Sequence, residues 1–309
     1  TSPPMRNQIA RYEARLAEHL LEAVCTDSDQ ALSEEELIRQ LPRYDAWIIG
    51  DDPATERVLA AGKAGKLRAA VRWGVGADNV DFEGARRVGV KVENTPDMFG
   101  DEIADLIMHY VVALARETFQ IHAAATAGEW SKRPGVSLKG KTVALVGYGS
   151  VGREAAVRLL AAKMRLQIYT RTPRTVELNG SSIDTRAWPD HVEAADFIVL
   201  CCPLTPQTHH LLGRDFFAAC QRGVRIVNVA RGSVIDEPAL IEALHDGHVH
   251  SAALDVFETE PLPADSPLRS FPQVILGSHN ASNTIEAVDR TTHRVIELIA
   301  EQLAEAVRP

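Results

Sequence analysis

Six short runs rich in β-branched and apolar residues recur through the middle of the chain: Thr142–Gly147, Leu166–Thr170, Phe197–Cys202, Val224–Val229, Ala252–Phe257 and Val274–Gly277. Amphipathic or alanine-rich stretches such as Arg153–Lys163 and Pro238–His245 separate them. Strands that are apolar along most of their length belong in a parallel sheet covered on both faces. Six of them with intervening helices predict a doubly wound α/β domain. The N-terminal part repeats the alternation on a smaller scale: Arg11–Leu21 helix, Ala46–Gly50 strand, Pro53–Ala61 helix, Leu67–Trp73 strand, Lys91–Glu93 short strand. An α/β lobe ordinarily opens with a strand, and Thr1–Met5 reads as the turn after one, so a leading strand is expected upstream. Asp101–Thr118 reads as a long helix apolar on nearly every side (Ile103, Leu106, Ile107, Tyr110, Val111, Leu114), the mark of burial or of an interface. The last helix, about Thr284–Val307, is expected to cross back to the first lobe.

Composition narrows the class without changing the architecture. The 309 residues are 45% hydrophobic and 24% charged, as in ordinary globular domains. A net charge of −9 leaves no electrostatic case for nucleic acid or an anionic membrane. No apolar run has the length to span a bilayer, and the N-terminus lacks a signal-peptide core. Cys25, Cys201, Cys202 and Cys220 show no metal-ligand spacing and read as reduced thiols, which implies a cytoplasmic protein without a metal.

The run Val143–Val146 leads directly into Gly147-Tyr-Gly149-Ser150-Val151-Gly152 and then a helical pattern. Gly147 permits the tight turn, Gly149 lets a pyrophosphate approach the backbone, and Gly152 lets helix and strand pack closely. The helix N-terminus adds unpaired N–H groups and partial positive charge for phosphates. Such a glycine pattern alone is weak evidence, but its place at the head of the α/β series makes it a dinucleotide site. An NAD site has an acid at the end of the next strand, about 20 residues on, whereas NADP needs room and a cation. Here that position is Thr170, followed by Arg171 and Arg174, so the balance favours NADP(H) over NAD(H).

Three further segments place polar groups after successive strands: Arg231 in Asn228–Asp236, Glu258 and Glu260 in Asp255–Pro261, and His279 in Leu276–Ala287. Parallel sheets bind ligands beyond those strand ends. Any one of these residues alone would read as structural. An arginine, a glutamate and a histidine at three adjacent mouths, beside a dinucleotide site, suggest polarisation, proton transfer and orientation.

With these segments in place, the chain resembles the D-isomer-specific 2-hydroxyacid dehydrogenase family, with a closer likeness to its phosphoglycerate dehydrogenase-like branch. Trp73–Asp81, Asn94-Thr-Pro96, the glycine turn, Cys202–Pro206, Asn228–Asp236, Asp255–Pro261 and Ser278-His279 carry the resemblance. It implies two Rossmann-like, flavodoxin-like lobes with the active site in the inter-lobe cleft. The substrate-binding lobe would be discontinuous (residues 1–93 plus 282–309) and the dinucleotide-binding lobe would span 94–281. It also implies that Arg231 binds the substrate carboxylate and keto oxygen, that His279 carries the proton, and that Glu260 holds the histidine. The Val75 and Gly76 amides would grip the carboxylate. Ser150, Val151, Cys202, Pro203 and Ala230 would join the glycines in holding the cofactor, with Asp255 on the nicotinamide carboxamide. Ser278 replaces the family's usual proline, Asn280 departs from the pattern, and the ribose acid is missing.

Arg72 stands where the branch carries an arginine near a substrate phosphate, so a phosphorylated acid such as 3-phosphoglycerate is the first expectation. Glyoxylate or hydroxypyruvate is the second. Glu260 disfavours the formate-oxidising members, which carry glutamine there. A nucleotide-sensing scaffold like the C-terminal-binding corepressors is the alternative from another class. A homodimer is expected, Trp130 reads as a packing or dimer-contact aromatic, and His209-His210 as a loop pair without metal.

Overall fold

The computed structural model describes residues 3–26 and 31–307. They part into two units, one running to Met98 and resuming at Asn283, the other Phe99–Ser282. The first unit is built on three parallel strands, β1 (Ala46–Ile49), β2 (Ala69–Arg72) and β3 (Lys91–Asn94), in the order β1-β2-β3. The central strand β2 is buried at every residue, as its Ala-Ala-Val-Arg sequence allows only if Arg72 finds partners. Thr55 starts the next helix by accepting from the Val58 N–H at 3.3 Å, so that helix is Glu56–Ala64 and Pro53 stays in the turn before it. The helix Phe82–Val88, too short to show a full apolar period, is capped by Asp81 and ended by Gly89 at φ 71°.

The expected Arg11–Leu21 helix is broken: a 3₁₀ turn at Ile9–Tyr12 precedes a short helix Glu13–Glu18, and Leu20 turns left-handed. Pro3–Arg6 is a helical turn with Met5 wholly buried, not an irregular turn, while Thr1 and Ser2 lie outside the described residues. The helix Ile285–Val307 packs on β2 within the same unit. Trp73 donates to Thr292 at 3.2 Å, Gln302 accepts from the Ala70 N–H at 3.0 Å, and Tyr12 donates to Asp289 at 2.7 Å. Burial and the Asp289 carboxylate push the Tyr12 phenol up to about 12.

In the second unit every one of the six apolar runs is a strand: β4 (Thr142–Val146), β5 (Arg165–Tyr169), β8 (Phe197–Leu200), β9 (Val224–Asn228), β10 (Val249–Leu254) and β11 (Val274–Leu276). A two-stranded hairpin, β6 (Thr175–Leu178) with β7 (Ser181–Asp184), intervenes. The large sheet is entirely parallel with order β11-β10-β9-β8-β4-β5. The connection leaves β4 for β5 on one side and returns to β8 on the other. The ends of β4 and β8 therefore form the switch point where such sheets open for ligands. Gly100–Arg116 covers one face through Ala104, Ile107, Val111 and Leu114. It is less uniformly apolar than its sequence suggests: Asp101 and Asp105 pair with Arg158 of Ser150–Ala161 at 2.9 and 2.7 Å. A second helix, Thr118–Thr126, follows and buries no residue.

Candidate active site

The glycine turn has the geometry of a phosphate cradle. Gly147 sits at φ 105°, and a side chain there would meet the Cys201 carbonyl oxygen at 2.8 Å. A methyl on Gly152 would lie 2.2 Å from the Gly147 oxygen, so only glycine lets the helix approach its strand. Gly149 is different: its added carbon would have nothing within 4 Å. The backbone is bare there and opens outward. It caps Ser150–Ala161 without a side-chain hydrogen bond, leaving the amides of Ser150, Val151 and Gly152 to a ligand. These residues fit a dinucleotide pyrophosphate. Cys202 and Pro203 follow β8, Ala230 follows β9, and Cys202 lies against the turn. Burial pushes the thiols of Cys201 and Cys202 up, so both are inert side chains.

Thr170 follows β5. Its hydroxyl donates to the Thr172 carbonyl at 3.0 Å and bonds the Thr185 hydroxyl at 2.7 Å. Thr185 in turn accepts from the Arg174 N–H at 2.9 Å, so hydroxyls rather than a carboxylate shape this loop. Arg171 and Arg174 are exposed. Burial raises the Tyr148 phenol, opposed by the charges of Arg153 and Arg174.

Arg231, Glu260 and His279 come together at the ends of β9, β10 and β11. Asn228, almost fully buried, folds the first loop: its amide donates to the Arg231 carbonyl at 3.0 Å and its oxygen accepts from the Ala230 N–H at 3.0 Å. Gly232 lies so close to the next loop that a side chain would overlap the Phe257 carbonyl carbon at 1.8 Å. Glu237 and Glu258 each accept from the other's N–H, at 2.6 and 3.3 Å, and His210 pairs with Glu258 at 2.8 Å. His209 stacks on His210, with ring centroids 3.9 Å apart. The loops bearing Arg231 and Glu260 are thereby tied to one another.

Glu260 accepts from the Phe257 N–H at 3.0 Å with one oxygen and bonds His279 Nδ1 at 2.7 Å with the other. Burial pushes its carboxyl up, but the His279 hydrogen bond and charge, the Phe257 N–H and the Arg231 charge outweigh burial. The carboxyl ends below the ordinary carboxylate range. His279 takes a left-handed φ of 53°. The buried Asp255 accounts for that turn: its carbonyl accepts from the His279 N–H at 2.6 Å, and its carboxylate from Asn280 at 3.2 Å and Ala281 at 2.8 Å. The sequence marked Asp255 only by its resemblance to a cofactor contact; in the structure it builds the histidine's loop. Asn228 lay inside a recognised segment, but its bonds could not be read without the backbone.

In the first unit, Gly74 donates to Thr95 Oγ1 at 2.9 Å and Asn94 donates to the Val75 carbonyl at 2.9 Å, which fixes the turn after β2. Among the described residues no acceptor takes the N–H of Val75 or Gly76. Arg72 is buried, donating to the Trp73 carbonyl and to Asp51 at 3.0 Å. Trp130, expected to be a packing or dimer-contact aromatic, does not pack within the single chain, where it is 88% exposed.

Residues 108–281 match the family model of the D-isomer specific 2-hydroxyacid dehydrogenase NAD binding domain. The chain belongs to the D-isomer-specific 2-hydroxyacid dehydrogenase family. Among its relatives, the hydroxypyruvate reductase of Thermotoga maritima is 35% identical over 282 residues, covering 89% of this chain and 90% of that one. The D-3-phosphoglycerate dehydrogenase of Methanocaldococcus jannaschii is 36% identical over 282 residues; these are 90% of this chain but 52% of the relative, so the chain spans about half of its length. A crystal structure of a Thermus thermophilus protein superposes with a TM-score of 0.87 at 32% identity, covering 96% of this chain and 94% of that one. Among the described residues no helix is long and apolar enough to cross a membrane.

Proposed function

We propose that this chain is an NAD(P)-dependent dehydrogenase that interconverts 2-oxo acids and D-2-hydroxy acids. The observation that carries the reading is the His279 imidazole held at 2.7 Å by Glu260, with Arg231 near enough for its charge to act on that carboxylate. When bound, the reduced nicotinamide supplies a hydride to C2 of the 2-oxo acid. Arg231 binds the carboxylate and keto oxygen and stabilises the negative charge that develops on that oxygen. His279 gives the oxygen its proton, so the carbonyl becomes a hydroxyl. Glu260 favours the protonated imidazole and fixes the ring through Nδ1. The N–H groups of Val75 and Gly76 take the substrate carboxylate.

We assign NADP(H) as the preferred cofactor, supported by the hydroxyl-built Thr170 loop and the cations Arg171 and Arg174 beside it. A cytoplasmic homodimer completes the reading, with Val112, Phe119 and Trp130 as the exposed apolar residues it would cover. The test is a screen of glyoxylate, hydroxypyruvate and phosphohydroxypyruvate with NADH and NADPH in parallel. Turnover of at least one 2-oxo acid, with the lower KM for NADPH, supports it. No turnover with either cofactor overturns it.

A further inference from the structure

Asp51 follows β1 and Arg72 ends β2, and the strand register sets Ile49 opposite Arg72, so the two side chains meet at the ligand-facing edge of the first unit's sheet. Arg72 Nη2 donates to Asp51 Oδ1 at 3.0 Å, and its Nη1 donates to the Trp73 carbonyl. The guanidinium lies beneath the turn: a side chain on Gly74 would come within 3.3 Å of Nη1. The members of the pair face water unequally, with 8% of the Arg72 side chain exposed against 43% for Asp51. A solute approaching this edge meets the carboxylate before the cation.

We propose that Asp51 is a specificity-determining residue that makes the enzyme discriminate against 2-oxo acids bearing a phosphoryl group. It selects monoanionic ones whose distal group is neutral. This rests on the dehydrogenase reading and on the substrate carboxylate binding at the Val75–Gly76 turn. A phosphate monoester carries close to two negative charges near neutral pH. The guanidinium expected from sequence to receive it is already neutralised, and a like charge stands in front. Asp52, the next residue, is buried and accepts from the N–H groups of Leu32 at 2.8 Å and Gly50 at 3.2 Å, which fixes the backbone that presents Asp51. A monoanionic 2-oxo acid needs only the turn amides here and meets no second repulsion.

The experiment compares kcat/KM for hydroxypyruvate and phosphohydroxypyruvate in the whole chain and in Asp51→Asn, which keeps the shape and removes the charge. Asp51→Ser serves as a second variant. The wild type should favour hydroxypyruvate by about tenfold or more, and either variant should narrow that ratio by about tenfold, through KM for phosphohydroxypyruvate rather than kcat. A wild-type preference for phosphohydroxypyruvate, or an unchanged ratio in both variants, overturns the inference while leaving the dehydrogenase reading standing. No reduction of any 2-oxo acid overturns both.

Discussion

Glu260 is a half-buried carboxylate whose surroundings decide its charge. Burial alone would favour the neutral acid, yet it ends below the ordinary carboxylate range because His279, the Phe257 amide and Arg231 all favour the anion. A folded-state pKa below the unfolded value of about 4.3 means that the pair's stabilisation is present above that pH. It is lost as pH falls through the lower folded value. The Glu260 carboxylate therefore stays ionised through the neutral range. In Glu260→Gln the imidazole loses its carboxylate, so the limb on which reduction slows with rising pH should move to lower pH; a pH–rate profile of reduction that stays in place would refute this. Arg231→Ala should lower kcat/KM by roughly 10²–10³-fold, the loss usual when a preorganised charge-stabilising donor is removed. Steady-state kinetics checks it, and Arg231→Lys should recover only part because an ammonium lacks the planar fork. Arg231, Glu260 and His279 were legible because each follows an apolar run that could only be a parallel strand. The Asp51–Arg72 pair was not, since it exists only once the register brings the ends of β1 and β2 together.

At the scale of elements, the glycines divide by function, and substitution should separate them. Gly152→Ala must push against the Gly147 carbonyl, and Gly232→Ala against the Phe257 backbone; each should cost about 1–3 kcal/mol or more, read from thermal or urea unfolding. Gly149→Ala meets nothing in the protein, so unfolding should change by no more than about 1 kcal/mol. The cofactor dissociation constant should nevertheless rise by roughly tenfold as the new methyl enters the phosphate's space, a loss of about 1.4 kcal/mol. Equal loss of stability at all three positions would contradict this division. The β-strands of the large sheet were readable because burial on both faces forces continuous apolar sequence. The hairpin β6–β7 was not, because its Thr-Val-Glu-Leu and Ser-Ser-Ile-Asp strands are largely exposed and carry little pattern. The short helix Arg214–Ala219 lacks a full apolar period for the same kind of reason.

At the scale of the whole molecule, one ion pair ties the starts of two central strands. Asp196, just before β8, pairs with Lys141 at 2.8 Å and accepts from the Thr142 N–H at 2.8 Å. Burial pushes its carboxyl up, but these partners hold it below its ordinary value. Its contribution is thus present above about pH 4 and lost as pH falls below that. Asp196→Asn should destabilise the protein by about 1–3 kcal/mol at pH 7. The difference from wild type should shrink on acidification below about pH 4, followed by unfolding across pH. The exposed Val112, Phe119 and Trp130 lead to an expected dimer by light scattering at micromolar concentration, and a monomer there would refute it. No sequence pattern could distinguish Trp130 as packed or exposed, because a lone aromatic in a loop carries no period. The most direct test of the catalytic constellation is rapid mixing of reduced cofactor and a 2-oxo acid with wild type and His279→Ala, following nicotinamide absorbance and, separately, cofactor binding by fluorescence. Wild type should oxidise the cofactor, and His279→Ala should bind it equally well while oxidising it at least about 100-fold more slowly. Equal oxidation rates in the two proteins would contradict the assignment of His279 as the proton donor.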